Sequence, residues 1–253
     1  MRATTTGTFS RSYLFGFAIP FDHTGIRLTY TPSDMLEFNI GVNNGWDNLS
    51  ENNSSKTLEF NAVLNLPHGI SWSNAIVFGD EHRELGEAGA EAEAARLART
   101  SFSPVSISPS DLMIAATAAD VTHDDQRIVY DSILTYQPHK QWTLMANFDY
   151  GSEQGTGTGG SDSEWVGVAG YAHYDATDRV GLTLRSEIFD DMDGARTGIE
   201  QTLFETTLTA GYKLTPAMET RLEYRYDASN HNGFFGPGED NQSTIAAELI
   251  FTF

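Results

Sequence analysis

The stretch Thr202–Asp227, TLFETTLTAGYKLTPAMETRLEYRYD, carries the pattern that decides the fold. Apolar and polar side chains alternate up to the turn Thr215–Met218, and the alternation resumes after it. Because successive side chains of a strand point to opposite faces, one face is apolar and aromatic while the other is polar. The polar face of the second strand alternates in charge, through Arg221, Glu223, Arg225 and Asp227. This stretch predicts two antiparallel strands joined by a tight turn.

The same unit of strand, tight turn, strand and long polar loop recurs along the chain and predicts eleven strands. The short connections are Thr31–Asp34, Pro67–Gly69, Gln137–Lys140, Asp175–Asp178 and Thr215–Met218. The long connections are Asp47–Lys56, Gly79–Gln126, Gly151–Ser163, Asp190–Gln201 and Ser229–Gln242. Short periplasmic turns and long external loops are typical of outer-membrane barrels. We predict an all-β, transmembrane, antiparallel up-and-down β-barrel that forms one domain over residues 1–253.

Composition excludes other classes of protein. No run approaches the ~18 apolar residues of a membrane-spanning helix. The mean hydropathy of -0.34 is compatible with a barrel, because strands that alternate apolar and polar residues average to a moderate value. The formal charge of -20 argues against nucleic acid as a partner. Without cysteine, the chain has neither disulfides nor thiolate metal sites. We expect the bacterial outer membrane as location, with lipid, lipopolysaccharide and the barrel-assembly machinery as partners.

Aromatic residues cluster near the predicted strand ends, as in the two interfacial girdles of membrane barrels. The alternative is that tyrosine and tryptophan are simply good strand formers, which explains their abundance but not their position. The residues are Tyr30, Trp46, Trp72, Phe78, Tyr136, Trp142, Tyr150, Trp165, Tyr174, Tyr212, Tyr226 and Phe253. The last strand alternates through Leu249, Phe251 and the terminal Phe253, which resembles the signal recognised by the assembly machinery.

The beginning of the chain poses a problem of closure. Eleven is odd, whereas single-chain bacterial barrels normally have an even number of strands. Residues Ser12–Phe21 could supply part of a twelfth, earlier strand, although Pro20 spoils its end. No secretory signal follows Met1. We therefore expect 11–12 strands here, belonging to the C-terminal part of a longer barrel.

Two motifs carry a resemblance to a known family. The run Arg11–Gly25, RSYLFGFAIPFDHTG, resembles a signature of the OmpL-like outer-membrane porins, and Gly41–Asp47, GVNNGWD, is similar to the strand-to-loop junction that follows it there. The resemblance reaches Phe253 and implies a porin whose earlier strands and signal peptide precede these motifs. It implies little about the solute. The region Gly79–Gln126, which is long and rich in Ala and Glu, is a departure from the family.

Charged residues on the polar faces of the strands are the candidates for lining a lumen. Such charges can set the ion selectivity of a water-filled pore, or they can pair across strands and fill a narrow lumen. Both interpretations stay open, and the excess of acids favours a weak preference for cations. The candidates are Arg27, Glu37, Glu59, Asp131, Asp149, Arg185, Glu187, Glu205, Arg221, Glu223, Arg225, Asp227 and Glu248.

The longest loop, residues 79–126, is expected outside the membrane with a short helix at Glu84–Arg99, because Ala and Glu favour helix. This helix either plugs the lumen or lies in solvent. Asp190–Gly194 resembles part of a calcium loop but lacks the later bidentate Glu, so we predict no metal. His173 is expected to face the lumen near its periplasmic end. No catalytic motif stands out, and we predict neither an enzyme nor a cofactor.

These features favour a porin that lets small hydrophilic solutes or ions diffuse passively, as a monomer or a homo-oligomer. The alternative is a structural or adhesive outer-membrane barrel without an open pore, whose acidic loops contact partners.

Overall fold

The computed structural model of the chain describes residues 7–47, 49, 55–81, 126–157 and 160–252. Within this part of the chain, eleven strands pair with their sequence neighbours in one antiparallel sheet, so the topology is up-and-down. Both the number and the order of the strands confirm the sequence prediction. The strands are β1 (Gly25–Ser33), β2 (Leu36–Asn43), β3 (Thr57–Leu66), β4 (Ile70–Asp80), β5 (Gln126–His139), β6 (Trp142–Glu153), β7 (Ser163–Asp175), β8 (Val180–Asp191), β9 (Gln201–Thr215), β10 (Met218–Ser229) and β11 (Asn241–Phe251).

Two prolines lie inside strands rather than in the turns where the sequence placed them. Pro32 belongs to β1 and Pro138 to β5. Each occupies the short interval in which the register shifts before the turn. Proline cannot donate a hydrogen bond to a neighbouring strand, so an interruption of the ladder tolerates it. The predicted turn positions Thr31–Asp34 and Gln137–Lys140 are therefore wrong by a few residues, while the hairpins themselves are confirmed.

The sheet has one polar and one apolar face. Directly paired residues share a face, and the pairing from β7 to β10 runs through Ala169, Glu187, Glu205 and Asp227. The other face carries large exposed apolar side chains on every strand; Leu184, for example, is 48% exposed. Such a surface is unfavourable in water and suits the hydrocarbon of a bilayer.

Residues 8–21, here called the inner segment, lie on the polar face, which we therefore call the inner face. The segment includes a π-helical turn, Leu14–Ala18, and does not form the strand proposed for Ser12–Phe21. That prediction was wrong because the backbone amides pair with side chains of the sheet instead of the backbone of a neighbouring strand. Leu14 is fully buried. It packs in an apolar cluster with Phe189 and Leu203.

Two of the aromatic residues assigned to the interfacial girdles point inward. Trp165 lies on the inner face opposite Asp191 and is fully buried. Trp46 packs against it, with 6.3 Å between ring centroids. Both assignments are wrong, because alternation along β7 puts Trp165 on the polar side. The proposed helix Glu84–Arg99 and the terminal Phe253 lie outside the described residues.

No helix among the described residues is long and apolar enough to cross a membrane. The core of this part of the chain lies between the inner segment and the sheet, rather than on the apolar outer face.

Candidate pore wall

All thirteen charged candidates for the lumen lie on the inner face. The register links them in rows: Arg27 and Glu59 both oppose Gly41 on β2. Across strands further along, Asp131 opposes Asp149 and Arg221 opposes Glu248. The remaining candidates lie at inward-facing positions of β2, β8, β9 and β10: Glu37, Arg185, Glu187, Glu205, Glu223, Arg225 and Asp227.

Each of the four arginines in this set is paired with a carboxylate. Arg27 forms two hydrogen bonds to Glu59. Further along the same face, between β8 and β9, Arg185 Nε lies 2.8 Å from Glu205 Oε2. The pairing interpretation of these charges is thus supported for part of the wall.

The other two pairs run along β10. Arg225 pairs with Asp227 at 2.7 Å, and Arg221 pairs with Glu219 at the same distance. Arg221 also lies 3.7 Å from Glu248 of β11. Glu219 was missed as a candidate, although its position two residues before Arg221 places it on the same face.

Two glutamates of the wall bind the backbone of the inner segment. Glu223 accepts hydrogen bonds from the amides of Phe9 and Ser10, at 2.6 and 2.9 Å. Glu187 accepts from the amides of Tyr13 and Leu14, at 2.7 and 3.2 Å. Each of these two side chains accepts two backbone amides, so together they hold the segment at two points along its length.

Two arginines bind the carbonyl groups of the same segment. Arg185 is buried and donates to the Ser10 carbonyl at 2.7 Å, besides its bond to Glu205. Arg225 donates to the Arg11 carbonyl, also at 2.7 Å. These side chains pair with amides and carbonyls of the segment in place of a neighbouring strand, which offsets the cost of burying an irregular backbone.

Tyr13 adds a side-chain anchor between the two glutamates. Its hydroxyl donates to Asp227 at 2.6 Å, and Arg225 lies over its ring. Burial, reinforced by Asp227, raises the pKa of Tyr13 well above its usual range. The hydroxyl therefore remains a hydrogen-bond donor at neutral and mildly alkaline pH.

A cluster of aromatic and basic side chains fixes the end of the segment nearest the long loops. Trp165 Nε1 donates to the Ala18 carbonyl at 3.1 Å, and Arg196 Nε donates to the Phe17 carbonyl at 2.6 Å. The Arg196 guanidinium also stacks on Trp46 and Trp165. Burial lowers the pKa of Arg196 to about 10, which still leaves it charged at neutral pH. Sequence alternation alone gave no signal for Arg196, since it lies in a loop.

Beside β1–β5 the inner face is open. A cavity of about 410 Å³ separates the inner segment from these strands. Phe15 and Phe21 of the segment border it on one side, and the strands contribute polar side chains such as Arg27, Glu37 and Asp131. This cavity distinguishes the first half of the sheet from β6–β10, where the segment lies directly on the wall.

A second cavity of about 280 Å³ lies at the turn end of the sheet and includes His173 and Thr183. His173 faces inward as predicted; its Nδ1 lies 2.8 Å from Thr183 Oγ1, and its Nε2 lies 3.4 Å from Asp175. Thr183 is only 2% exposed, and Gly7 packs against its hydroxyl.

The acidic loop after β8 serves a structural purpose. Asp191 accepts hydrogen bonds from the amides of Arg196 and Thr197, and Asp193 accepts from the Glu164 amide. Within the described ranges, no group of three or more His, Asp or Glu side chains is arranged to hold a metal ion.

A polar inner wall inside an antiparallel up-and-down sheet with an apolar outer face defines a β-barrel channel of the bacterial outer membrane. The chain belongs to the family described as "Putative beta-barrel porin-2, OmpL-like", which matches residues 2–253. No curated protein sequence matches the chain significantly.

Solved structures of outer-membrane proteins have the same fold. The chain is similar to OmpT of Vibrio cholerae, with 12% identity and a TM-score of 0.57 over 97% of this chain and 71% of that one. It is similar to an anion-selective porin from Comamonas acidovorans, with 8% identity and a TM-score of 0.57 over 91% of this chain and 59% of the other. It is also similar to the outer-membrane channel DcaP of Acinetobacter baumannii, with 11% identity and a TM-score of 0.54 over 90% of this chain and 62% of the other. At these identities the similarity concerns the fold.

Proposed function

We propose that the protein is a porin through which small hydrophilic solutes or ions diffuse passively, without catalysis. The observation that carries this proposal is the open cavity of about 410 Å³ between the inner segment and a wall of ionised side chains. A lumen serving only as a structural core would be filled beside β1–β5 too, as it is where the inner segment lies directly on β6–β10. The thirteen charged candidates are proposed as the pore wall, of which those buried under the inner segment, such as Arg185 and Glu187, are covered rather than exposed to the passage.

A weak preference for cations follows from the balance of charges. The four arginines are all engaged by carboxylates, whereas Glu37 and Asp131, which border the open cavity, form no ion pair within the described ranges. Unpaired carboxylates on a narrow wall raise the local concentration of cations. The similarity to an anion-selective porin does not argue against this, because fold does not determine selectivity.

Conductance in planar lipid bilayers tests the proposal. Refolded protein should produce stepwise openings, and a salt gradient should give a reversal potential on the cation-selective side. Protein that shows the heat-modifiable gel shift of a folded barrel but remains electrically silent would contradict it.

The competing function is a structural or adhesive barrel with a closed lumen. It is favoured by one observation, namely that the inner segment fills the space beside β6–β10. A silent, folded barrel would support this alternative. The barrel-assembly machinery is a proposed partner through Leu249 and Phe251, which project from the outer face of β11. Homo-oligomerisation remains a proposal as well.

A further inference from the structure

We propose that the cavity beside β1–β5 binds small organic cations that carry an apolar or aromatic group. This inference deepens the channel function and rests on it, since it names the class of solute that the pore would select. The volume of the cavity, about 410 Å³, falls within the ~300–1,000 Å³ typical of small-molecule sites.

Two unlike walls enclose the cavity. The inner segment contributes an apolar wall that includes Phe15, Ile19 and Phe21. The strands contribute some apolar side chains too, such as Val77 and Val129, but they also supply all of the amide groups and all three carboxyl groups that line the cavity. A ligand that buries hydrocarbon against one wall and presents a charge to the other matches both. Inorganic ions and uniformly polar solutes would leave the apolar wall without a partner.

The polar wall is acidic. Glu59, the first of its three carboxylates, is already engaged by Arg27 and by the Asn43 amide. The other two have amide partners: Glu37 accepts from Asn39 at 3.0 Å, and Asp131 accepts from Asn147 at 2.9 Å.

The position of Asp131 gives a further reason to expect a cation. It stands directly opposite Asp149 in the pairing of β5 with β6. Of the two, Asp131 lines the cavity, and its carboxyl group attracts a cation placed beside it. The same arrangement disfavours a carboxylate or phosphate ligand.

The aromatic wall suits the same ligand. Phe15 and Phe21 pack edge to face with 5.2 Å between centroids. The face of an aromatic ring attracts cations, and Phe15 already holds the Arg11 guanidinium 4.6 Å from its centroid. Phe21, which is 47% exposed, is left to contact a ligand.

Calorimetric titration of the refolded chain in nonionic detergent with 2-phenylethylammonium tests the proposal without depending on conductance. We expect saturable binding, with 2-phenylethanol and phenylacetate each binding at least about tenfold more weakly, because they lack the cation. Raising the salt concentration should weaken binding of the cation, since screening reduces its attraction to Glu37 and Asp131. Absence of binding at millimolar ligand, or equal binding of phenylacetate, would overturn the proposal.

Matched variants locate the site. Glu37→Gln and Phe21→Leu should each weaken binding of 2-phenylethylammonium by about three- to tenfold, because each removes one attraction for the cation. Glu248→Gln makes the same change of charge on the inner face of β11, away from the cavity, and should leave affinity unchanged. Equal losses in Glu37→Gln and Glu248→Gln would refute the assigned site. A silent bilayer with intact binding would refute the porin function while sparing the site.

Discussion

The two halves of the inner face carry similar residues and yet differ in what covers them. Beside β6–β10, carboxylates and arginines are buried and bind the inner segment, as Glu187 and Arg185 do. Beside β1–β5, Arg27 keeps 46% of its side chain exposed, and a cavity separates the strands from the segment. Alternating charge on a barrel wall therefore does not by itself say whether that wall holds a plug or borders a passage.

The difference comes from what each charge has as a partner. In the covered half, an ionised side chain commonly binds both a wall residue and the backbone of the segment; Arg185 bonds Glu205 and the Ser10 carbonyl. In the open half, Arg27 bonds Glu59 alone among the described residues. Buried charges with several partners hold a structure rigidly, whereas exposed pairs contribute little.

Replacing an arginine should have very different effects in the two halves. Arg185→Ala removes one member of a buried pair and should destabilise the folded protein by about 3–5 kcal/mol, because Glu205 and the Ser10 carbonyl lose their donor. Arg27→Ala removes the exposed member of its pair, and the buried Glu59 keeps Asn43 as a hydrogen-bond donor, so the cost should be about 1 kcal/mol or less. Urea unfolding of the protein in lipid vesicles measures both. Equal midpoint shifts would show that the halves are equally constrained.

Two glycines on opposite faces of β7 allow the contact between the inner segment and the wall to be tested. A Cβ atom at Gly167 would lie 2.7 Å from Leu14 Cδ1, whereas one at Gly170 would meet nothing within 4 Å. Gly167→Ala should destabilise by about 1–3 kcal/mol through overpacking. It should also speed tryptic cleavage after Arg11, because the segment is pushed off the wall. Gly170→Ala is the control, and should resemble the original protein in both measurements.

The smallest of the three effects concerns a single hydrogen bond. Tyr13→Phe keeps the ring under Arg225 but removes the donor to Asp227, which should cost about 1–2 kcal/mol. The control is Tyr130→Phe, which removes a hydroxyl bound to Asn74 on the outer face. Faster cleavage after Arg11 in Tyr13→Phe alone would confirm an anchor for the segment, and equal cleavage in both variants would argue against one.

Alternation was sufficient to predict the strands and their faces. Side chains such as Glu187 and Asp227 had to lie together on one face once their strands were paired. The hairpin partners followed from the short turns, since a tight turn fixes which residues oppose each other. The family resemblance carried by Arg11–Gly25 agreed with this fold.

The inner segment could not be predicted in the same way. Tyr13, Leu14 and Phe17 read as part of a strand, because an apolar run looks alike in a strand and in a buried turn. What decides its conformation is the set of distant wall groups that satisfy its backbone, among them Glu187 and Glu223. Contacts over such sequence separations leave no local periodicity. The inward position of Trp165, by contrast, follows from the alternation along β7, which the assignment to an interfacial girdle overlooked.

The central claim is that the polar face is the pore wall, open beside β1–β5 and covered beside β6–β10. The chain contains no cysteine, so single Ala→Cys variants can be probed with a water-soluble thiol reagent while current is recorded in bilayers. Ala75→Cys lies at the open cavity, Ala169→Cys under the inner segment, and Ala210→Cys on the outer face. We predict rapid reaction and loss of current for Ala75→Cys, with the other two protected. Reaction of Ala169→Cys or Ala210→Cys as fast as Ala75→Cys would contradict the claim.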